Sequence, residues 1–241
     1  IHPRSQARIL SGIKSFFHFL TVADYLETDP SELLEGPKIG FKIPEVLTVE
    51  EIDRIISAVD MDKKEGQRNR AILETLYSCG LRVSELCNLK LSDLYFEEGF
   101  IKVEGKGSKQ RLVPISPRAI KEIKYWLTDR NLGKIKKGYE DYVFLARWGN
   151  NISRIMVFHM IKELAEKTGI TKNISPHTFR HSFATHLLEG GANLRAIQCM
   201  LGHESIATTE IYTHIDRNML RSEIIEHHPR NIKYRKERGI Y

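Results

Sequence analysis

Disulfide chemistry has almost nothing to work with in this chain. Its 241 residues hold three cysteines, Cys79, Cys87 and Cys199, odd in number and widely spaced. That excludes a disulfide framework and points to a reducing, cytoplasmic setting. No apolar run approaches the roughly 20 residues of a bilayer-spanning helix, and no signal peptide is visible, so no membrane role is expected. Internal repeats are also absent. Acidic residues are in the minority: 31 Asp and Glu face 37 Lys and Arg, a net charge of +6. The excess favours a polyanionic partner, though composition alone does not name one. Hydrophobic residues make up 41 %, enough for a core. The chain opens at Ile1 rather than Met, inside an apolar helical pattern, and reads as the continuation of a longer N-terminal segment.

The periodicity divides the chain in two. Ile9, Leu10, Ile13, Phe16, Phe17 and Leu20 recur at helical spacing and predict a helix over Ser5–Leu26, with a short helix over Pro30–Leu34. "EGPKIGFKIPEVL" then brings two glycines and two prolines together and marks a linker at 36–46. The 1–35 segment is too short to hold a core alone. The larger domain, 47–241, opens on "TVEE", a capping box of Thr48 and Glu51 ahead of the stripe Ile52, Ile55, Ile56, Val59. Further helices are expected over Gln67–Cys79, closed by Gly80, and Val83–Asn88. Two strands, Phe100–Glu104 and Arg111–Pro114, flank a Gly-rich turn. Ser116–Pro117 then starts another helix. Ser153–Lys167, Pro176–Glu189, Leu194–Leu201, Ile206–Tyr212 and Arg217–Glu226 complete the helices, and the tail "PRNIKYRKERGIY" is basic and weakly patterned. The fold class is mainly α with a small antiparallel β-sheet.

Four stretches carry polar residues in unusual company. His177 and His181 of "SPHTFRHSFATHLL" stand four apart, as in a zinc-protease helix, but the general-base glutamate that must follow the first histidine is replaced by Thr178. Ser175–Pro176 instead puts His177 in the first turn of a helix, with Arg180 on the same face. Free N–H groups and the positive dipole end there suit an anion. A surface helix with ordinary polar residues fits too. In "SCGLRVSELCNL", Arg82 lies among apolar residues and needs a partner, which Glu85 supplies in either a structural pair or a functional one. In "EGKGSKQR", Lys106 stands between glycines, at a solvated hairpin tip or at one that reaches a phosphate. "LGHESIATTEIYTH" offers His203 after a glycine turn, and Tyr212, a core residue or a nucleophile.

Taken in order, these four motifs resemble the tyrosine recombinase family of phage integrase type, close to its bacterial Xer branch, from about Pro44 to Asp216. The resemblance implies a tyrosine recombinase catalytic domain preceded by a partial helical core-binding domain. It implies a site-specific recombinase that cuts and rejoins double-stranded DNA through a 3′-phosphotyrosine. By resemblance Tyr212 is the nucleophile, Lys106 the general acid for the leaving 5′ oxygen, and Arg82 and Arg180 the clamp on the scissile phosphate. Arginine's planar fork suits that clamp. His177 assists proton transfer at Tyr212, and His203 bonds a phosphate oxygen. Each exchange replaces one phosphate ester by another, so neither nucleotide cofactor nor metal is implied. Family members assemble as tetramers on DNA and dock a C-terminal helix on a neighbouring protomer. Ile215, Met219, Ile224 and Ile225 would be its apolar contacts here, against the alternative that the helix packs on its own domain. A type IB topoisomerase shares the chemistry, and a DNA-binding regulator could share the fold without it.

Overall fold

The structure, a computed structural model, describes residues 1–38, 40, 45–105, 109–202 and 214–238; for 214–218 and 237–238 the description is of the backbone alone. The chain divides into two compact units, Ile1–Ile43 and Pro44–Tyr241. Among the described residues no helix is long and apolar enough to cross a membrane.

The first unit is built on α1 (Pro3–Val22), which starts from His2, with Pro3 at its first position. It stops short of the expected Leu26 because Asp24 turns left-handed, at φ +57°. The short helix expected over Pro30–Leu34 does not form. Asp29 Oδ1 accepts from both the amide (2.8 Å) and the hydroxyl (2.6 Å) of Ser31, and this local bonding holds the backbone in turns instead.

In the larger unit, α2 (Val49–Ser57) begins with the capping box read from the sequence. Glu51 N donates to Thr48 Oγ1 at 3.2 Å, and Thr48 N donates to Glu51 Oε2 at 2.8 Å. Ile52, Ile55, Ile56 and Val59 are all buried. Next, α3 (Gly66–Cys79) runs through the centre and packs against α5 (Pro117–Leu132) and α7 (Pro176–Glu189). Buried on nearly every side from Ala71 to Cys79, it has no polar face to display, as a core helix should not. It ends at Gly80, whose φ of +57° and whose neighbour, Phe183 Cδ1 at 2.4 Å from any added Cβ, both demand glycine.

Directly after Gly80 comes α4 (Val83–Cys87). The sheet has the order β1 (Leu94–Tyr95), β2 (Phe100–Glu104), β3 (Gln110–Pro114), antiparallel throughout, with Phe100 opposite Pro114 and Glu104 opposite Gln110. Two residues are too few to show alternation, which is why β1 escapes a sequence reading. The remaining helices are α6 (Arg154–Lys167), α8 (Leu194–Leu201), α9 (His214–His227) and α10 (Pro229–Arg238). The helix expected over Ile206–Tyr212 lies outside the described residues.

The C-terminal region differs most from expectation. Leu220 and Ile224 of α9 are buried in the unit's own core, whereas Met219 is exposed. The tail forms α10, with Pro229 at its first position. There Arg230, one basic residue among many by sequence, is only 1 % exposed. It donates to Glu74 Oε2 at 3.0 Å, bonds Asp53, and lies over the Tyr77 ring at 5.1 Å. Burial opposes the Asp53 charge, but the bond and charge of Arg230 outweigh it and hold that carboxyl below its ordinary value.

Next to it His228 is fully buried. Its Nδ1 accepts from Arg230 N at 3.2 Å, so Nε2 carries the proton that is donated to Tyr77 O at 3.2 Å. Protonating Nδ1 would set a donor against a donor. Burial first, and the nearby Arg230 charge, push the His228 pKa down to about 3. A histidine held neutral in the fold but free to charge when unfolded stabilises the native state above its unfolded value of about 6.5, and that stability is lost as pH falls below it. Urea denaturation between pH 7 and pH 4 should therefore show a loss approaching 1.4 kcal/mol per pH unit from this group. The His228→Gln variant should show a visibly shallower slope, and parallel slopes would place the titration elsewhere.

Candidate active site

Three arginines from three elements meet at one buried carboxylate. Arg82 stands at the N-cap of α4 and Glu85 one turn inside it. Arg82 N donates to Glu85 Oε2 (2.8 Å) and Arg82 Nη1 to Glu85 Oε1 (2.9 Å). Arg111 comes from β3 and spans the same carboxylate with Nη1 on Oε1 (2.7 Å) and Nη2 on Oε2 (2.9 Å). Arg180, on α7, brings Nη1 to 4.0 Å from Oε2. Burial alone would raise the Glu85 pKa, but the bonds and charge of Arg111 and the bonds from Arg82 outweigh it, and the group is held ionised below its ordinary value.

The same three guanidinium groups take three successive carbonyls at the end of α8. Arg111 Nε donates to Met200 O (2.8 Å), Arg180 Nη2 to Leu201 O (2.6 Å) and Arg82 Nη2 to Gly202 O (3.3 Å). The last carbonyls of a helix have no partner within it and carry its negative dipole end, so cations belong there. Arg180 Nη1 also donates to Gly80 O (2.7 Å), which ties α7 to the turn that delivers Arg82. Burial, then the charge of Arg82, push the Arg180 pKa down to about 10 against the pull of Glu85; it stays charged at neutral pH. Each guanidinium has five N–H donors, and Arg82 and Arg180 each keep several beyond these contacts. With its side chain 37 % exposed, Arg82 faces solvent, whereas Arg180 at 12 % is largely covered. The patch is a preorganised cluster of guanidinium donors.

The structure brings together Arg82 and Arg180, as the motifs suggest. It places His177 in the first turn of α7, exposed. His181 is exposed also, and His186 is buried with Nδ1 2.8 Å from the Tyr77 hydroxyl. Among the described residues no group of three His, Cys, Asp or Glu side chains assembles around either exposed histidine. Lys106, His203 and Tyr212 lie outside the described residues. Beyond the ends of β2 and β3, Gly105 N donates to Lys109 O at 2.8 Å. Sequence reasoning passes over Arg111. The available signal is strand alternation: Arg111 shares a face with buried Val113, so a charged side chain points inward and must find a carboxylate.

Residues 45–219 match the phage integrase family. The chain belongs to that family. The matched span contains all six positions singled out by the motifs. Among relatives of this family member, it is similar to tyrosine recombinase XerD of Staphylococcus saprophyticus, 43 % identical over 227 residues, covering 94 % of this chain and 77 % of the relative. It is similar in structure to XerA recombinase, with a TM-score of 0.62 and 35 % identity over 90 % of this chain and 74 % of that one. A third likeness is to XerH site-specific recombinase bound to a palindromic difH substrate in a post-cleavage complex, with a TM-score of 0.62 and 30 % identity over 78 % of this chain and 54 % of that one. This integrase-family chain is a tyrosine recombinase, an enzyme of site-specific DNA recombination. Neither a type IB topoisomerase nor a non-catalytic regulator is favoured.

Gly202 deserves a substitution of its own. Its φ is +65°, and an added Cβ would stand 3.2 Å from Cδ, Nε and Cζ of Arg111. Gly169, at φ +69°, has nothing within 4 Å of the same position. Both alanine variants should lose about 1–2 kcal/mol to the left-handed backbone. Only Gly202→Ala should also slow DNA cleavage, and equal cleavage rates in the two would show that Arg111 is undisturbed.

Proposed function

We propose that the three-arginine patch is the phosphate site of a strand-cleaving centre for double-stranded DNA, in the manner of Xer-type chromosome resolution or mobile-element integration. In this reading Arg82 and Arg180 bind the non-bridging oxygens of the scissile phosphate. The phenolic oxygen of Tyr212 attacks phosphorus and forms a 3′-phosphotyrosine. The bond to the 5′ oxygen breaks, and Lys106 donates the proton that makes it a hydroxyl. His177, exposed in the first turn of α7, assists removal of the Tyr212 proton, and His203 bonds a phosphate oxygen. In the second step the 5′ hydroxyl of another strand attacks the phosphotyrosine and releases the tyrosine. Two guanidinium groups already held by a carboxylate and a helix end need little reorganisation as negative charge grows on the phosphate, and such preorganisation is usually the largest catalytic term. The convergence of Arg82 and Arg180 on one carboxylate carries the reading.

A nicked suicide site tests it. The chain should give a covalent protein–DNA band on a denaturing gel, and Tyr212→Phe should give none; a band that persists sinks the nucleophile assignment. Arg82→Ala and Arg180→Ala should each slow band formation about 100-fold or more. DNA affinity should fall steeply with salt, since phosphate contacts release counterions.

We further assign 1–35 to the end of a helical core-binding domain, 36–46 to a linker, and 47–241 to the catalytic domain. The partners are other recombinase protomers, alike or related, in a tetramer on DNA with exchange of the C-terminal helix. Because Leu220 and Ile224 are core residues, deleting α9 would remove part of the fold, and a surface substitution is the cleaner probe. Met219→Lys should leave covalent attachment to a single site within about two-fold, as surface changes usually leave the fold intact, and weaken multimer formation on DNA. Undiminished multimers by native gel would remove Met219 from the contact.

A further inference from the structure

Resting on the reading of Arg82 and Arg180 as the phosphate clamp, we propose that Arg111 is a positioning residue of the cleavage step: it occupies Glu85 so that Arg82 remains available to the phosphate. Arg111 does not present itself to DNA. Its side chain is 7 % exposed, on the inward face of β3, under the backbone of Gly202. What it reaches is both oxygens of Glu85 and the carbonyl of Met200.

The consequence lies in the competition for Glu85. A planar guanidinium and a carboxylate left alone form a two-point pair, the strongest arrangement open to them. If Arg111 were missing, Arg82 would be the nearest guanidinium and would turn both donors onto Glu85. Its charge would be neutralised and its fork used up. With Arg111 already spanning the carboxylate, the Arg82 side chain makes a single bond, to Oε1, and its Nη2 is left directed at the end of α8. Three guanidinium groups around one carboxylate also leave an excess of two positive charges. That suits a phosphodiester, which carries one negative charge at rest and gathers a second as the pentacoordinate state forms. Removing Arg111 alone would halve this excess. Removing Arg111 together with the Glu85 charge would restore it.

The test is single-turnover cleavage of a nicked suicide site, with DNA affinity measured separately and folding checked by circular dichroism. Arg111→Met should slow cleavage about 100-fold, the cost of disabling one preorganised donor group. Affinity for the uncleaved site should stay within about three-fold, because the other phosphate contacts persist. The double variant Arg111→Met with Glu85→Gln should recover about ten-fold or more of the lost rate, a coupling expected only of residues that act through one another. Arg111→Lys, which keeps the charge and loses the fork, should fall between wild type and Arg111→Met. If Arg111→Met alone does not fold, the same cycle is read from the other side: in the Glu85→Gln background, adding Arg111→Met should change the rate less than about three-fold. A double variant as slow as Arg111→Met, or a further large loss in the Glu85→Gln background, would overturn the proposal. Wild-type cleavage by a folded Arg111→Met would do so as well. Arg82→Ala separates this from the parent reading. If that variant cleaves normally, the clamp assignment itself fails; if it is inactive while Arg111→Met cleaves at the wild-type rate, only the positioning role fails.

Discussion

The carboxylate of Glu85 is the point on which the site depends. It is buried, it is ionised, and it is shared by guanidinium groups from α4, β3 and α7. A buried carboxylate without partners costs several kcal/mol. Arg82 and Arg111, which bond that carboxylate, therefore serve the fold whether or not substrate is bound. The fold is arranged around that requirement. The left-handed Gly80 lets the chain leave the central helix and start α4 within three residues, and its carbonyl then receives Arg180. The sheet carries Arg111 inward, and the end of α8 supplies carbonyls to all three. Preorganisation is thus a by-product of ordinary polar satisfaction: the arginines are held in place because they serve as helix caps and counterions.

Much of this was legible in the residues because it rests on local chemistry. The Thr48–Glu51 box, Ser116–Pro117, and the bounds of α7 and α8 are set by capping rules that act over three or four residues. That Arg82 and Arg180 stand apart from the other basic residues was legible through motifs that keep polar groups close in sequence: Arg82 near Glu85, Arg180 near His177. What stayed hidden is long-range. Arg111 and Arg230 are two among 37 basic residues; strand alternation hints that Arg111 points inward, and nothing adjacent in the chain names the partner of either. Their partners are 26 and 156 residues away. The turn at Pro30–Leu34 and the two-residue β1 failed for the opposite reason: they are too short for periodicity to register, and a single Asp29 side chain decides the first.

Arg111 and Arg230 form an instructive pair. Each is a buried guanidinium bonded to a buried carboxylate, and each joins segments distant in sequence. Around Arg230 the neighbours are Glu74, Asp53, Tyr77 and His228, and Arg118 and Lys233 pair with the two carboxylates from the outside. Around Arg111 the set is open on one side, where Arg82 reaches solvent. The same interaction serves stability in one place and, by our proposal, reactivity in the other: around Arg230 two carboxylates offset the cations, whereas around Arg111 three guanidinium groups share one.

The position of Arg230 has a consequence for how the protein is made. Glu74 pairs with two arginines: Arg118 takes Oε1 at 2.8 Å, and Arg230, which takes Oε2, leaves the ribosome 156 residues after the glutamate. During synthesis one oxygen of that carboxylate therefore waits for its partner, and the packing of Arg230 over Tyr77 cannot close until nearly the whole larger unit has emerged. A nascent chain halted upstream of α10 would lack the side chain that covers Tyr77 and completes the pairing of Glu74.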